Sequence, residues 1–273
     1  IRTALVSTNS ICQGEQVAPL WATLHNRFGV HIDFAWTTFV WNNEAANQAH
    51  VHCVIVGFSL AKTHARTIFS EKGAFQCKSI SPYLVDAPFA VVGSKSKPIC
   101  PVPRLTKGSQ ASDGGNLILT NEEKDLLIRT NPSAAKWLRP FVGAYEFLRN
   151  TCRWCLWIKD VKPSDLLTCP QVLDRVRKVS EFRSKSSAAP TRKMAEQPQR
   201  FFSDVQPSTD YIAIPRTSSQ RRKYLPVGFM SPLIIASDNL SIVHGASLYM
   251  FGVLQSQIHN AWMKIVCGRL KSD

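Results

Sequence analysis

The chain has 273 residues and a formal net charge of +14. Hydrophobic residues make up 44% of it, enough for the core of one large domain or two modest ones, which excludes a disordered polymer. No apolar run reaches the roughly 18 residues of a membrane span, and the first residues lack the features of a signal peptide. Because the sequence begins inside a predicted strand and without an initiator Met, we expect a fragment of a longer protein.

The first part of the chain is typical of the end of an α/β sheet. Residues 3–7 are predicted as a short apolar strand, and apolar residues at helical spacing predict a helix over 15–28. Residues 31–40 alternate as a strand does, and residues 50–58 are nearly all apolar and β-branched, which is typical of a strand buried on both faces. The predicted order over residues 1–60 is therefore strand, helix, strand, strand.

The middle of the chain is predicted to be a long connection followed by short elements. Residues 71–116 are rich in Pro, Gly, Ser and Lys, with one or two short strands at most. Long loops inside a compact chain are usually functional or wrapped around a ligand. Short helices are predicted from Asn121 and after Pro132, a buried strand over 153–158, and a longer helix from Pro170.

The helix from Pro170 is predicted to be amphipathic. Its apolar positions include Val172, Val176 and Val179, and the opposite face is expected to carry Arg175, Arg177, Lys178 and Arg183. We expect a mobile basic loop or a frayed helix over 184–200, strands over 210–216, 222–229, 233–237 and 240–243, and one long helix over 247–270.

The positive charge is concentrated in one segment. Residues 1–70 contain four Lys/Arg and three Asp/Glu, whereas residues 175–223 contain twelve Lys/Arg and four Asp/Glu, a net of +8. Such a concentration indicates a phosphate-binding surface. A basic amphipathic helix at a membrane is the alternative, but the charge continues through predicted loops and strands, which favours nucleic acid.

The residues offer no active site or metal site of a familiar kind. The sequence contains neither a Gly-rich phosphate loop nor a Gly-x-Ser-x-Gly elbow. Its eight cysteines are scattered in apolar surroundings, which is typical of reduced, buried thiols. Cys152 and Cys155 have the spacing of half a zinc site, but no second pair follows and Trp154–Ile158 is typical of a buried strand, so we expect no metal.

Two segments have residue types suited to DNA. Trp36, Phe39 and Trp41 lie near the mouth of the predicted hairpin, and an extruded base needs an aromatic or apolar face to stack on. The alternative is that these aromatics belong to the core of the hairpin.

Residues 215–224 concentrate hydroxyls, an amide and four cations at a predicted turn. Arg can hold guanine, Gln can hold adenine, and Ser, Thr or Lys can hold phosphate. A solvated turn is the alternative, but consecutive cations repel one another and favour a polyanionic partner.

Segments along the whole chain resemble the MmeI-like (type IIL/IIG) and YeeA-like DNA methyltransferases. The combination is specific, although no single segment is. The matching segments are Ala4–Val17, Phe39–Ala45, His50–Phe58, Pro82–Pro88, Asp113–Leu117, Leu138–Phe141, Arg153–Trp157, Ile214–Arg216 with Ser218–Ser219, and Val266–Ser272.

This resemblance implies an adenine-specific enzyme of bacterial restriction-modification systems that uses S-adenosyl-L-methionine, often fused to an N-terminal endonuclease. It implies that residues 1–70 are the C-terminal portion of a Rossmann-like methyltransferase domain, and that residues 71–273 are an α+β target-recognition domain with a closing helix. The cofactor-binding strand and the Asn-Pro-Pro-Tyr/Phe motif lie upstream in that family, and neither occurs in this chain. The expected partner is double-stranded DNA, with no membrane, in the bacterial cytoplasm.

The resemblance and the charge pattern together give a set of candidate residues. Trp41 or Phe39 would stack the flipped adenine, whose exocyclic amine is methylated. Gln220 stands where the resemblance leads us to expect an acid. A stand-alone, non-enzymatic nucleic-acid-binding module is the alternative function. The candidates for DNA contact are Arg175, Lys178, Arg183, Arg192, Lys193, Arg216, Ser218, Ser219, Gln220, Arg221, Arg222 and Lys223.

Overall fold

The computed structural model describes residues 2–41, 51–61, 65–219 and 221–268. In these ranges the chain is a mixed α/β structure with three sheets. The strands are β1 (Arg2–Thr8), β2 (His31–Trp41), β3 (Val51–Ser59), β4 (Arg66–Ser70), β5 (Gly73–Cys77), β6 (Leu105–Lys107), β7 (Ile118–Leu119), β8 (Leu138–Val142), β9 (Arg153–Leu156), β10 (Tyr211–Pro215), β11 (Gly228–Met230), β12 (Ile235–Ala236) and β13 (Leu240–His244). The helices are α1 (Val17–Phe28), α2 (Asn121–Thr130), α3 (Ala144–Arg149), α4 (Pro163–Leu167), α5 (Pro170–Ser184), α6 (Ala189–Lys193), α7 (Leu248–Gln255) and α8 (Gln257–Val266).

The chain forms two compact units, which are described separately below. Unit 1 comprises Ile1–Ile99 and Gln257–Asp273, and unit 2 comprises Cys100–Ser256. The predicted functional boundary at residue 70 falls at the turn of the β4–β5 hairpin, where Ser70 pairs with Gly73. That functional boundary stays a prediction.

Unit 1 contains a five-stranded sheet in the order β1-β3-β2-β4-β5. β3 lies antiparallel between β1 and β2, and β4 runs parallel to β2. Helix α1 connects β1 to β2 and buries Val17 and Trp21 in the same apolar cluster as Val54 and Ile68 of the sheet. It ends at Gly29, whose φ of +66° is the left-handed conformation that glycine adopts without a steric penalty.

The order strand, helix, strand, strand predicted for residues 1–60 is confirmed. The sequence did not reveal the β4–β5 hairpin, however, and β5 belongs to the segment predicted as a long connection. In β5 only Cys77 is buried, so this edge strand has no buried apolar face that would mark it in the sequence.

Unit 2 contains two four-stranded sheets, β11-β10-β13-β6 and β12-β8-β9-β7. All five residues of β10 are buried, since this strand is bordered by β11 and β13. The second sheet shares its core with α5, where Val172, Val176 and Val179 pack in one cluster with Leu156 of β9.

Two predictions for unit 2 and the C-terminal helix are wrong. A strand was expected over 222–229, but regular pairing is confined to β11, because Pro226 has no N–H for a ladder. A single helix was expected over 247–270, but α7 and α8 are separate helices. Ser256 between them has φ −59° and ψ 147°, an extended conformation that interrupts the helical hydrogen bonds.

Arg183 of α5 is the largest fully buried side chain among the described residues, at 0% exposure. Its Nε donates to the carbonyl of Ser112, Nη1 donates to those of Met194 and Gln197, and Nη2 donates to those of Ala111 and Arg200, at 2.8–3.2 Å. All five N–H groups of the guanidinium therefore have acceptors. This one side chain ties α5 to two loops, residues 111–112 and residues 194–200.

We expect Arg183→Leu to lower the free energy of unfolding of the chain by about 3–5 kcal/mol, because it leaves several buried carbonyls without a donor. Urea unfolding followed by circular dichroism measures this effect.

Arg177→Leu on the exposed side of α5 is the matched control, and its effect should stay within about 0.5 kcal/mol. Equal effects of the two substitutions would show that the buried contacts of Arg183 are not what stabilises unit 2.

Candidate nucleic-acid interface

The recognition turn, residues 216–223, leaves the end of buried strand β10. Arg216 is anchored because its backbone N–H donates to the carbonyl of Asn239 at 3.1 Å and its Nη1 donates to that of Asp238 at 3.4 Å. The Ser219 hydroxyl accepts from the backbone N–H of Arg221 at 3.2 Å, and the Ser219 carbonyl accepts from that of Arg222. Short-range bonds thus shape the turn, which is fixed to the sheet at its first residue.

The cations of the recognition turn point to solvent. Arg216, Arg221, Arg222 and Lys223 are exposed, as is Ser218, whereas Ser219 is half-buried. Within the described ranges, Arg221 and Arg222 make no ion pair with a carboxylate. Lys223 Nζ lies 5.4 Å from the centroid of the Tyr224 ring. Gln220 lies outside the described residues. The turn therefore concentrates positive charge at the surface, as a polyanion requires.

The exposed side of α5 supplies a second group of cations, and the predicted candidates in it differ. Arg177 and Lys178 are exposed, and Lys178 pairs with Asp174 at 2.8 Å one turn away. The Lys178 hydrogen bond lowers the pKa of Asp174. Arg177 is not among the predicted DNA contacts, although it is exposed on the same face as Lys178.

Arg175 is held inside unit 2. Its Nη2 donates to Glu123 Oε1 at 2.7 Å and its Nη1 donates to the carbonyl of Asn116 at 3.1 Å. Glu123 is also half of a capping box, because its carboxylate accepts from the backbone N–H of Thr120. The backbone bond from Thr120 and then the Arg175 bond hold the pKa of Glu123 below its usual value. Arg175 thus links α5 to the start of α2 before any ligand arrives.

The prediction that Arg183 contacts DNA is wrong, since the side chain is fully buried. Positions 172, 176, 179 and 183 share one face of α5, because eleven residues advance a helix by about 20° beyond three full turns. Burial lowers the pKa of Arg183, while the nearby Asp113 carboxylate opposes that shift. The guanidinium of an arginine is not deprotonated in proteins, so Arg183 is a buried cation.

Arg192 and Lys193 of α6 are exposed. Arg192 Nη1 donates to the carbonyls of Ser186 and Ser187, both at 2.8 Å. The segment predicted as a mobile basic loop or frayed helix is thus a short helix whose preceding turn is closed by one of its own arginines.

The candidate aromatics of unit 1 lie at the end of β2. The ring centroids of Phe39 and Trp41 are 6.2 Å apart and tilted by 47°, and Trp41 is 49% exposed. A register shift between Trp36 and Phe39 separates this pair from Trp36, which stacks on Phe69 at 5.8 Å. Strand irregularities of this kind re-aim side chains. Residues 42–50, which complete the predicted hairpin, lie outside the described residues.

Neither the thiols nor the helices of the described ranges point to another kind of site. No group of three or more His, Cys, Asp or Glu in these ranges is arranged to hold a metal ion. Burial raises the pKa of the Cys155 thiol, which disfavours the thiolate that zinc needs. Of the helices described, none is long and apolar enough to cross a membrane.

Comparison with protein families gives a match to each part of the chain. The model described as MmeI, DNA-methyltransferase domain, matches residues 1–70. The model described as MmeI, target recognition domain, matches residues 86–273, which include the recognition turn and the basic helices α5 and α6.

Two relatives match over the full length of the chain. DNA methyltransferase A of Bacillus subtilis (strain 168) is 37% identical, and the match covers 100% of this chain and 31% of the relative. The type IIL restriction-modification enzyme MmeI, solved in complex with DNA, has a TM-score of 0.90 and 44% identity, over 100% of this chain and 37% of that chain. The chain thus spans about a third of the length of each relative.

Glu123 makes the stability of unit 2 depend on pH, through the hydrogen bond from the Thr120 backbone and then through its pair with Arg175. Because the pKa of Glu123 is lower in the folded chain, its stabilising effect is complete above the unfolded value of about 4.3 and is lost as the pH falls through the folded value. We expect Glu123→Gln to destabilise the chain at pH 7, and the difference from the wild type to shrink below about pH 4.3. Urea midpoints measured from pH 7 to pH 3 give this difference, with exposed Glu181→Gln as the control. A difference that does not change with pH would contradict the prediction.

Proposed function

Because this chain belongs to the MmeI family of DNA methyltransferases, we propose that it reads a specific sequence of double-stranded DNA for an adenine-specific, bacterial restriction-modification enzyme. The observation that carries the proposal is the recognition turn, which presents exposed cations from a buried strand within the segment that matches the target recognition domain. A relative of 44% identity has been solved in complex with DNA, which supports the same partner here.

The candidate side chains divide by the DNA group that each is suited to contact. Arginines of the recognition turn have the planar fork that holds guanine in the major groove, and Gln220 and Ser218 are suited to base edges or phosphates. Lys178, Arg192 and Lys193, with Arg177 added, are suited to phosphates along the backbone. Arg175 is suited to hold α5 in place, since Glu123 already occupies it.

For unit 1 we propose the last part of a Rossmann-like methyltransferase sheet. In support, β1 and β2 are parallel, because each is antiparallel to the β3 between them, and α1 connects them as a crossover does. Leu5 and Val6 of edge strand β1 are 54% and 52% exposed, although they point to opposite faces of the sheet. We infer that other parts of the longer protein cover these side chains.

The proposed enzyme needs S-adenosyl-L-methionine as the methyl donor. A cavity in unit 1 beside Trp21, His25 and Phe89 has a volume of about 30 Å³, which admits a water molecule or two and not this cofactor. The cavity is therefore too small to hold the cofactor. We propose that the cofactor is held mainly by parts of the longer, cytoplasmic enzyme that precede this chain.

The reaction requires the target adenine to leave the helix, because its exocyclic amine is paired within the duplex. Half-exposed Trp41, with Phe39 beside it, is suited to stack on the extruded base. The part that this chain would play is to select the site and to hold the base outside the stack, at a cost of a few kcal/mol in lost pairing and stacking.

We expect Arg221→Ala combined with Arg222→Ala to weaken duplex binding at least tenfold and to flatten its dependence on salt. Each lost phosphate contact lowers the log–log salt slope by about 0.9, whereas a lost base contact relaxes sequence preference at nearly constant slope. Fluorescence anisotropy with a duplex library at several salt concentrations measures both quantities.

The matched control is Arg129→Ala combined with Lys136→Ala, which removes two exposed charges of unit 2 outside the recognition turn and the basic helices. Its affinity and slope should stay near those of the wild type. Duplex binding that is insensitive to salt in the wild type would refute the proposed function.

The aromatic pair gives a separate prediction. A duplex with an unpaired 2-aminopurine should bind more tightly than the matched duplex, because no base pair must be broken before the base is extruded. Base–aromatic stacking contributes about 1–3 kcal/mol per base, so Trp41→Ala should remove most of that preference.

Trp262→Ala serves as the control, since Trp262 is also an exposed tryptophan of unit 1. If both variants keep the preference for the unpaired base, Trp41 does not stack on it, and Phe39→Ala then tests the neighbouring ring.

A further inference from the structure

Unit 2 contains an open cleft that is separate from the recognition turn. Its volume is about 400 Å³, within the range of roughly 300–1,000 Å³ that is usual for small-ligand sites. It is lined by the turn after β9, including Trp157 and Lys159, and by residues 194–204, including Gln199, Arg200 and Phe202.

The walls of the cleft are fixed by contacts behind them. The buried Arg183 guanidinium binds the carbonyls of Met194, Gln197 and Arg200, so the backbone of one wall is held at three points. Phe201 of that wall packs edge-on against Trp157 of the other wall, with their ring centroids 5.0 Å apart. An ion pair between Lys159 and Asp204 joins the two walls. The cleft is therefore a formed feature of the core and not a gap between loose loops.

The side chains that line the cleft combine aromatic surface, the amides of Gln197 and Gln199, and two cations, of which Lys159 is paired with the Asp204 carboxylate. Trp157 and Phe202 are half-buried. The Trp157 ring already contacts Phe201 edge-on, and Lys159 Nζ lies 5.2 Å from its centroid, so the part of the ring left uncovered and the Phe202 ring are the apolar surface of the cleft. Gln199 is half-buried, and its amide makes no hydrogen bond within the described part of the chain, so both its donor and its acceptor are available. Arg200 is exposed and is tethered by the Gln197 side chain, to which its Nη1 donates at 3.3 Å.

These groups match the chemistry of a nucleotide. A nucleobase stacks on aromatic rings, its edge exchanges hydrogen bonds with an amide, and the attached phosphate pairs with arginine. We propose that the cleft binds a nucleobase together with its phosphate, the base lying against Trp157 and Phe202, its edge on Gln199 and the phosphate on Arg200. The ligand is either a free nucleotide or a base extruded from DNA, and only the second source rests on the proposed function.

The first arm of the test uses free ligands. AMP, GMP, CMP and TMP are titrated into the 273-residue chain by calorimetry. Arg200→Ala should weaken binding at least tenfold and Gln199→Ala about threefold to tenfold, as the loss of a charged and of a neutral hydrogen bond implies. Both variants keep the backbone carbonyls that Arg183 binds, and Arg129→Ala is the control for the loss of one positive charge.

The second arm uses DNA. A duplex library in which 5-iodouracil replaces thymine is irradiated with the chain, and mass spectrometry locates the crosslinks. Crosslinks at Trp157 or Phe202 that Arg200→Ala and Gln199→Ala reduce would show a base inside the cleft. Duplex affinity of the same variants is measured by anisotropy in parallel.

The outcomes separate the two proposals. Nucleotide binding or cleft crosslinks that depend on Gln199 and Arg200 support the inference and identify the source. Intact duplex binding with neither signal overturns the inference and leaves the proposed function standing. Nucleotide binding without duplex binding supports the inference and overturns the proposed function.

Discussion

The arrangement of unit 2 depends on one buried cation. Arg183 has no exposed surface, and its guanidinium donates to five carbonyls on two loops, of which one lies 71–72 residues before it and the other 11–17 residues after it. Removing a charge from water costs several kcal/mol unless it is paired and fully hydrogen-bonded. Here the five carbonyl dipoles and the nearby Asp113 supply that compensation. The five hydrogen bonds therefore fix the backbone of both loops at the carbonyls that accept them.

This constraint explains why the basic surface has a defined form. Residues 186–200 form a short, polar segment that contains several Ser and Ala residues. Such a segment has little apolar surface to bury on folding. The hydrogen bonds of buried Arg183 hold the backbone at residues 194, 197 and 200, and Arg192 holds the carbonyls of Ser186 and Ser187. The recognition turn is fixed differently, through the backbone of Arg216 and the fully buried strand β10. Groups held in this way lose little conformational entropy on binding, which favours affinity and selectivity.

In α5, the spacing of residues along the chain predicts burial better than residue type does. The helical spacing of Val172, Val176 and Val179 predicts α5 and its buried face correctly. Arg183 continues that spacing, yet residue type placed it in solvent, because arginine is seldom buried. Periodicity was the better guide at this position. The β4–β5 hairpin and the break at Ser256 follow from tertiary pairing and one extended backbone conformation, and neither leaves a periodic signal in the sequence.

The candidate site shows the same limit for charge. A net of +8 over residues 175–223 correctly indicates a basic surface, but it does not distinguish a cation that faces solvent from one that already has a partner. Arg183 donates to backbone carbonyls, Arg175 forms an ion pair with Glu123, and Lys178 forms an ion pair with Asp174 one turn away. Arg183 and Arg175 are held by these partners inside unit 2, whereas Arg177, Arg221 and Arg222 make no ion pair among the described residues. Lys178 is exposed and has three N–H donors, so its pair with Asp174 leaves donors for a phosphate. Counting charges in the sequence therefore does not show which cations already have a partner within the fold, and only the structure separates the two groups.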